Sequence, residues 1–102
     1  MTNQIKLRDK DKLLIISLIK KHLPDAKAWA YGSRVKGTSH DGSDLDLVLF
    51  NTNKTMLNFE KLNKLKTELR ESNIPIIVDI RDWETLPEGF HKEILKGYYP
   101  LI

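Results

Sequence analysis

The sequence contains no cysteine. That excludes a disulfide, a thiolate metal site and a thiol nucleophile, and it suits a reducing compartment. Long apolar stretches are also absent. The longest uncharged run near the start, Leu13 to Ile19, is interrupted by Ser17 and falls well short of a membrane span. A cytoplasmic protein without membrane attachment is therefore expected. Excess charge of one sign is scarce: 17 Lys and Arg against 14 Asp and Glu leave a net charge of +3. So small a bias suits a polyphosphate or an acidic partner, and it is weak ground for a nucleic-acid groove, so direct nucleic-acid binding is not expected. With 4 prolines and 5 glycines there is no linker or low-complexity tract. The 102 residues, 40% apolar and 30% charged, read as one folded domain spanning residues 1–102.

Periodicity orders the elements. Leu13, Ile16, Leu18, Ile19 and Leu23, widened by Leu14 and Ile15, repeat at helical spacing. Asp9 or Asp11 is placed to cap this helix, and Pro24-Asp25 ends it. Ala28 to Tyr31 is a short strand before Gly32, and Leu45 to Phe50 is a second strand. Phe59, Leu62, Leu65 and Leu69 mark an amphipathic helix ending at Asn73 and Pro75. Ile76 to Ile80 is the most β-branched run and reads as a buried strand. Thr85 is placed to cap a last helix marked by Phe90, Ile94 and Tyr98, ending before Pro100. The strand–helix–strand unit from Leu45 to Ile80 makes a right-handed crossover with parallel strands, and the first two strands run antiparallel. The fold class is α/β (α+β), a small mixed β-sheet flanked by helices. Trp29, Tyr31, Phe50 and the leucine stripes read as core.

The stretch from Gly32 to Leu47 carries the chemistry. Gly32-Ser33-Arg34-Val35-Lys36-Gly37 is a glycine-punctuated turn with a hydroxyl and two cations, suited to a phosphate chain. A polar loop, Thr38 to Ser43, follows. Asp44 and Asp46 then open an apolar run, although aspartate is depleted in strands. At i and i+2 they share a face, with Cα atoms roughly 6–7 Å apart. A hard cation between them offsets their repulsion, and oxygen ligands suit Mg²⁺. Asp79 is a third aspartate inside an apolar strand, on the neighbour of the strand bearing the first two. With Ile77 and Arg81 it lies opposite in phase to Ile76, Val78 and Ile80. Taken singly, Ser33 is equally a helix cap, Arg34 and Lys36 are solvated charges, and Asp44 is a turn residue. Asp46 and Asp79 resist that reading, because a buried carboxylate without a partner costs several kcal/mol or titrates.

Other motifs fail. A P-loop requires lysine where Thr38 stands, and Gly32-Ser33-Arg34 lacks the flanking glycines of a nucleophile elbow. His22, His40 and His91 have no metal-ligand spacing and read as surface residues. Asp41 to Asp46 breaks the register of a calcium loop.

Together, Gly32-Ser33-Arg34, Gly37, Ser43-Asp44-Leu45-Asp46-Leu47 and Asp79 on a later strand resemble the nucleotidyltransferase superfamily typified by DNA polymerase β. The likeness is closest to its minimal (MNT) members that pair with a helical HEPN protein, through the Trp29 to Gly37 and Val78 to Trp83 runs. It extends over roughly Leu13 to Tyr98. The resemblance implies the polymerase β palm-like fold. It implies transfer of a nucleoside monophosphate, AMP from ATP, onto a hydroxyl with release of pyrophosphate. Asp44, Asp46 and Asp79 are then the catalytic acids and would hold two Mg²⁺ ions, with Mn²⁺ as a substitute. Asp79 would also help deprotonate the acceptor. Gly32 would let the backbone approach the nucleotide, and Ser33 and Arg34 would hold the β- and γ-phosphates. In such pairs the HEPN protein is a ribonuclease toxin. The MNT member is the antitoxin, acting by adding AMP to a tyrosine of the toxin or by binding it. The expectation is thus an adenylyltransferase antitoxin. Its rivals are a non-catalytic antitoxin acting by contact, which the intact acids disfavour, and transfer to RNA or a small molecule such as an aminoglycoside.

Overall fold

The computed structural model describes residues 5–37 and 42–102. The Thr38 to Asp41 part of the expected polar loop, including His40, lies outside the described residues. In chain order the elements are α1 (Asp9–His22), β1 (Ala26–Tyr31), α2 (Ser33–Lys36), β2 (Leu45–Asn51) and α3 (Phe59–Glu71). They continue with β3 (Val78–Asp82), a single 3₁₀ turn (Trp83–Thr85), α4 (Glu88–Leu95) and β4 (Tyr98–Pro100). The strands form one sheet in the order β3-β2-β1-β4. β2 and β3 are parallel across the α3 crossover, while β1 is antiparallel to both β2 and β4. This is the expected mixed sheet. No described helix is long and apolar enough to cross a membrane.

Alternation along the strands separates two faces. Ala26, Ala28 and Ala30 of β1, Leu45, Leu47 and Leu49 of β2 and Ile80 of β3 are buried in one cluster with Ile15, Leu18 and Ile19 of α1 and Leu62, Leu65 and Leu69 of α3. Each of these large apolar side chains stabilises the fold by about 1.5–3 kcal/mol through burial. The opposite face carries Trp29 and Tyr31, Asp46, Val48 and Phe50, and Asp79 and Arg81, and it is there that the acids lie.

Several expectations are corrected. Leu13 and Phe59 lie at the ends of their stripes and are 67% and 75% exposed. Neither Asp9 nor Asp11 caps α1. Arg8 holds the cap position with extended backbone, and buried Asp11 accepts hydrogen bonds from Arg8 Nε (2.8 Å) and Nη2 (3.1 Å). Thr85 does not cap α4, whose cap residue is Pro87; its hydroxyl instead donates to the Asp82 carbonyl within the 3₁₀ turn. Tyr98 belongs to β4, not to the last helix. α4 stops at Leu95, and the chain turns at Gly97 to pair Tyr98, Tyr99 and Pro100 with Tyr31, Ala30 and Trp29. Proline is tolerated there because β4 is an edge strand.

Candidate active site

Register places the acids. Asp46 pairs with Tyr31 on one side and with Asp79 on the other, and Tyr31 pairs with Tyr98, so these four side chains form one row across the sheet. Asp44 is exposed and stands two residues before Asp46, just ahead of β2. Burial raises the Asp46 pKa above the ordinary aspartate range, and repulsion from Asp79 and then Asp44 raises it further, while Arg81 opposes the shift. Tyr31 is also held above its usual value, first by burial and then by the charge of Asp46. Asp46 therefore senses the charge of both other acids. Among the described residues, however, no three acidic, His or Cys side chains are gathered closely enough to hold a metal ion as they stand.

The turn between β1 and α2 brings backbone against this row. Gly32 has φ 81° and ψ −154°, a conformation that L side chains rarely adopt. A Cβ at Gly32 would lie 2.6 Å from Asp46 Oδ2, so only hydrogen leaves room for the carboxylate. The Gly32 carbonyl accepts the Val35 and Lys36 N–H groups, winding α2 into a single turn. Gly37, in the left-handed region, closes it with its N–H on the Ser33 carbonyl. Ser33 is half-buried at the first position of α2, and among the described residues its hydroxyl makes no hydrogen bond.

Arg34 departs from its expected place on the phosphates. Its guanidinium is buried and donates from Nε (3.0 Å) and Nη2 (2.8 Å) to the Ser43 carbonyl and from Nη1 (2.6 Å) to the Lys6 carbonyl. Backbone carbonyls thus engage donors that the phosphate role required. What Arg34 does is fasten α2 to the residue preceding Asp44 and to the segment leading into α1, whose Lys6 N–H returns a bond to the Arg34 carbonyl.

Two features of this face escape a reading by motif. Arg81 Nε lies 3.3 Å from Asp79 Oδ2, and the guanidinium sits over the Phe90 ring of α4, 5.6 Å from its centroid. Trp29 and Phe50, expected as core, lie instead with Trp83 and Tyr98 in an aromatic layer on this face. Trp29 stacks on Tyr98 at 4.1 Å and meets Phe50 and Trp83 edge-on. His91 of α4 stacks on Trp83 at 3.9 Å and bonds its carbonyl through Nε2. Period-2 alternation from Asp46 to Val48 and Phe50 was the available signal for that layer. Asp82, at the end of β3, points the other way. It is buried and accepts the Leu57 (3.1 Å) and Glu84 (3.0 Å) N–H groups, a structural use of a carboxylate.

Comparison with known proteins finds a family and a fold. Residues 14–101 match the family described as "Polymerase beta, Nucleotidyltransferase". The chain is 34% identical over 99 residues to a "Probable protein adenylyltransferase MntA" from Haemophilus influenzae, covering 97% of this chain and 84% of that protein. A solved toxin–antitoxin structure with AMP-PNP has a TM-score of 0.73 at 20% identity, covering 93% of this chain and 73% of that one. A second solved structure, of a tri-AMPylated Shewanella oneidensis HEPN toxin with its MNT antitoxin, gives 0.71 at 16% identity, covering 94% and 72%. These two likenesses show the fold.

Proposed function

The chain belongs to the polymerase beta nucleotidyltransferase family, and from that premise we propose that it is an antitoxin that transfers AMP from ATP to a tyrosine hydroxyl of a helical HEPN toxin. The observation that carries this reading is the registered pair Asp46 and Asp79, with Asp44 ahead of it and Gly32 pressed onto the Asp46 carboxylate. The AMP-PNP and AMPylated-toxin structures of similar fold, and the adenylyltransferase relative, support the nucleotide and the partner.

The donor set fits Mg²⁺, or Mn²⁺ in its place. It consists of hard carboxylate oxygens that repel one another in the cation-free chain, which is what raises Asp46 beyond the effect of burial. Asp44, Asp46 and Asp79 would hold the two ions once Asp79 turns from Arg81. Bound Mg²⁺ supplies charge neutralisation on the phosphates and acidifies a coordinated hydroxyl. The chain's own residues do the rest. The Ser33 hydroxyl and the backbone at Gly32, bare of a side chain, bind and orient the β- and γ-phosphates. Arg34 keeps α2 and Ser43 in fixed relation, and so sets where Asp44 begins. Asp79 accepts the proton of the acceptor tyrosine. The tyrosine oxygen then bonds to the α-phosphorus as the bond to the bridging oxygen breaks, and pyrophosphate leaves with that electron pair. Rate depends on holding the acceptor in line with the α-phosphate. A folded partner docked on the acid-bearing face would do this.

The test is mass spectrometry of the co-purified toxin after incubation with ATP and Mg²⁺. The expected result is a gain of one or more AMP units on a tyrosine, lost with Asp46→Asn. A toxin that stays unmodified, yet is neutralised equally by wild type and Asp46→Asn, would assign the antitoxin effect to contact alone.

A further inference from the structure

The aromatic layer beside the acids packs incompletely. Trp29 meets Phe50 and Trp83 edge-on, with centroids 4.8 and 5.8 Å away, and all three rings are only half-buried. Next to them is a cavity of about 310 Å³, lined by the three rings with Thr52 and Lys54 among its other walls. Protein interiors are close-packed, so rings that served only to close the fold would leave no such space. The volume is at the small end for ligand sites and suits a single ring system. Its position indicates which one. Trp29 stands two residues before Tyr31 on β1, and Phe50 four residues beyond Asp46 on β2, so both lie on the acid-bearing face, roughly 7–13 Å from the acid row along the strands. Gly32 and Ser33 follow Tyr31, which puts the phosphate-holding turn on the opposite side of that row. A nucleoside triphosphate with its β- and γ-phosphates at the turn and its α-phosphate over the acids points its nucleoside toward the rings. Val48, between Asp46 and Phe50 on the same face, is fully buried, so the surface that the ribose crosses is filled. Every nucleobase has a π-face, and aromatic side chains hold bases by stacking on it. A purine, with the larger face, gains most.

We infer that the cavity walled by Trp29, Phe50 and Trp83 is a stacking site for the purine base of the nucleoside triphosphate. The inference rests on the nucleotidyl-transfer reading above and adds base recognition to it. The two ends of the nucleotide are then held on opposite sides of the acid row, the phosphates by a glycine turn and the base by aromatic rings. Different residues contribute at each end, so the base contribution can be removed while the phosphate contribution stays.

Trp29 and Trp83 are the two tryptophans of the chain, so its tryptophan emission comes from the cavity wall. The experiment titrates the whole chain, in excess Mg²⁺, with a non-hydrolysable ATP analogue and separately with inorganic tripolyphosphate. Emission and calorimetric affinity are followed for wild type, Phe50→Leu and Thr52→Met. In wild type the analogue is expected to quench the emission and to bind more tightly than tripolyphosphate, which should leave the emission unchanged. Phe50→Leu should weaken the analogue about five- to 150-fold, the range of one base–aromatic stack, and leave tripolyphosphate affinity as it was. Thr52→Met adds bulk to the cavity from an exposed position and removes no ring, and it should also weaken the analogue selectively. Analogue and tripolyphosphate bound equally by wild type, without quenching, overturn the base site and leave nucleotidyl transfer standing. Wild type that binds neither ligand overturns both. Should Phe50→Leu melt at a lower temperature than wild type, Thr52→Met decides, and an analogue affinity equal to that of wild type overturns the inference.

Discussion

Asp46 ionises against its own burial and against two like charges. Desolvation disfavours the carboxylate first, and Asp79 and Asp44 add repulsion, so in the folded chain it titrates above the ordinary aspartate range. The unfolded chain returns it to about 4. A pKa higher in the folded state than in the unfolded one means that the protonated form favours folding. The Asp46 contribution is therefore fully present below about pH 4 and is lost as pH rises through the folded value. In cation-free buffer, Asp46→Asn should melt with wild type at the acid end and at progressively higher temperature than wild type as pH is raised. Thermal melts from about pH 4 to about pH 8 check this. A flat difference, or one of opposite sign, would show that the neighbours do not oppose Asp46. The same substitution should abolish transfer, the pattern of a residue kept for chemistry at some cost in stability. At this scale the sequence was informative where a residue contradicts its surroundings, as Asp46 does on β2. Asp79 faces the same side of the sheet, but its side chain is 42% exposed, not buried as its apolar neighbours implied. Arg34 and Arg81 contradict nothing locally. Their roles depend on Ser43, Lys6 and Asp79, partners brought near by folding, and no local pattern announces them.

The β1–α2 turn shows how an element can serve the site through what it omits. Gly32 and Gly37 both have positive φ, but among the described residues Gly32 faces a side chain while no atom lies within 4 Å of a Cβ built at Gly37. Gly32→Ala should therefore combine backbone strain with displacement of the Asp46 carboxylate, lowering stability by about 1–3 kcal/mol and abolishing transfer. Gly37→Ala should cost only the left-handed conformation, about 1–2 kcal/mol, and keep transfer. Denaturant unfolding with activity assays of the two variants separates these outcomes, and a fully active Gly32→Ala would remove the turn from the site. Elements with strong periods, α1, α3 and β2, were legible beforehand, as was the crossover that makes β2 and β3 parallel. The β-branched run from Ile76 misplaced the third strand, since β3 spans Val78–Asp82 and Ile77 is 67% exposed. β4 was not legible. Tyr98 stands four residues after Ile94 and eight after Phe90, a helical spacing. Three residues of edge strand are defined only by pairing with β1, roughly seventy positions away in sequence.

In the whole molecule the two inner strands and the two outer ones contribute unequally to the site. β1 and β2, hydrogen-bonded on both sides, carry Gly32's approach and Asp46, whereas Asp79 lies on β3, which is bonded on one side only. Local opening of a protein follows such differences, with edge elements releasing at lower free energy than central ones. Amide hydrogen exchange should accordingly be faster across β3 than across β1 and β2, and equal protection of β2 and β3 would contradict this. Opening at β3 takes Asp79 away from Asp46 while α1, β1 and β2 remain folded. Catalytic competence would then be a property of a subset of the native ensemble, and whatever clamps β3 would enlarge that subset.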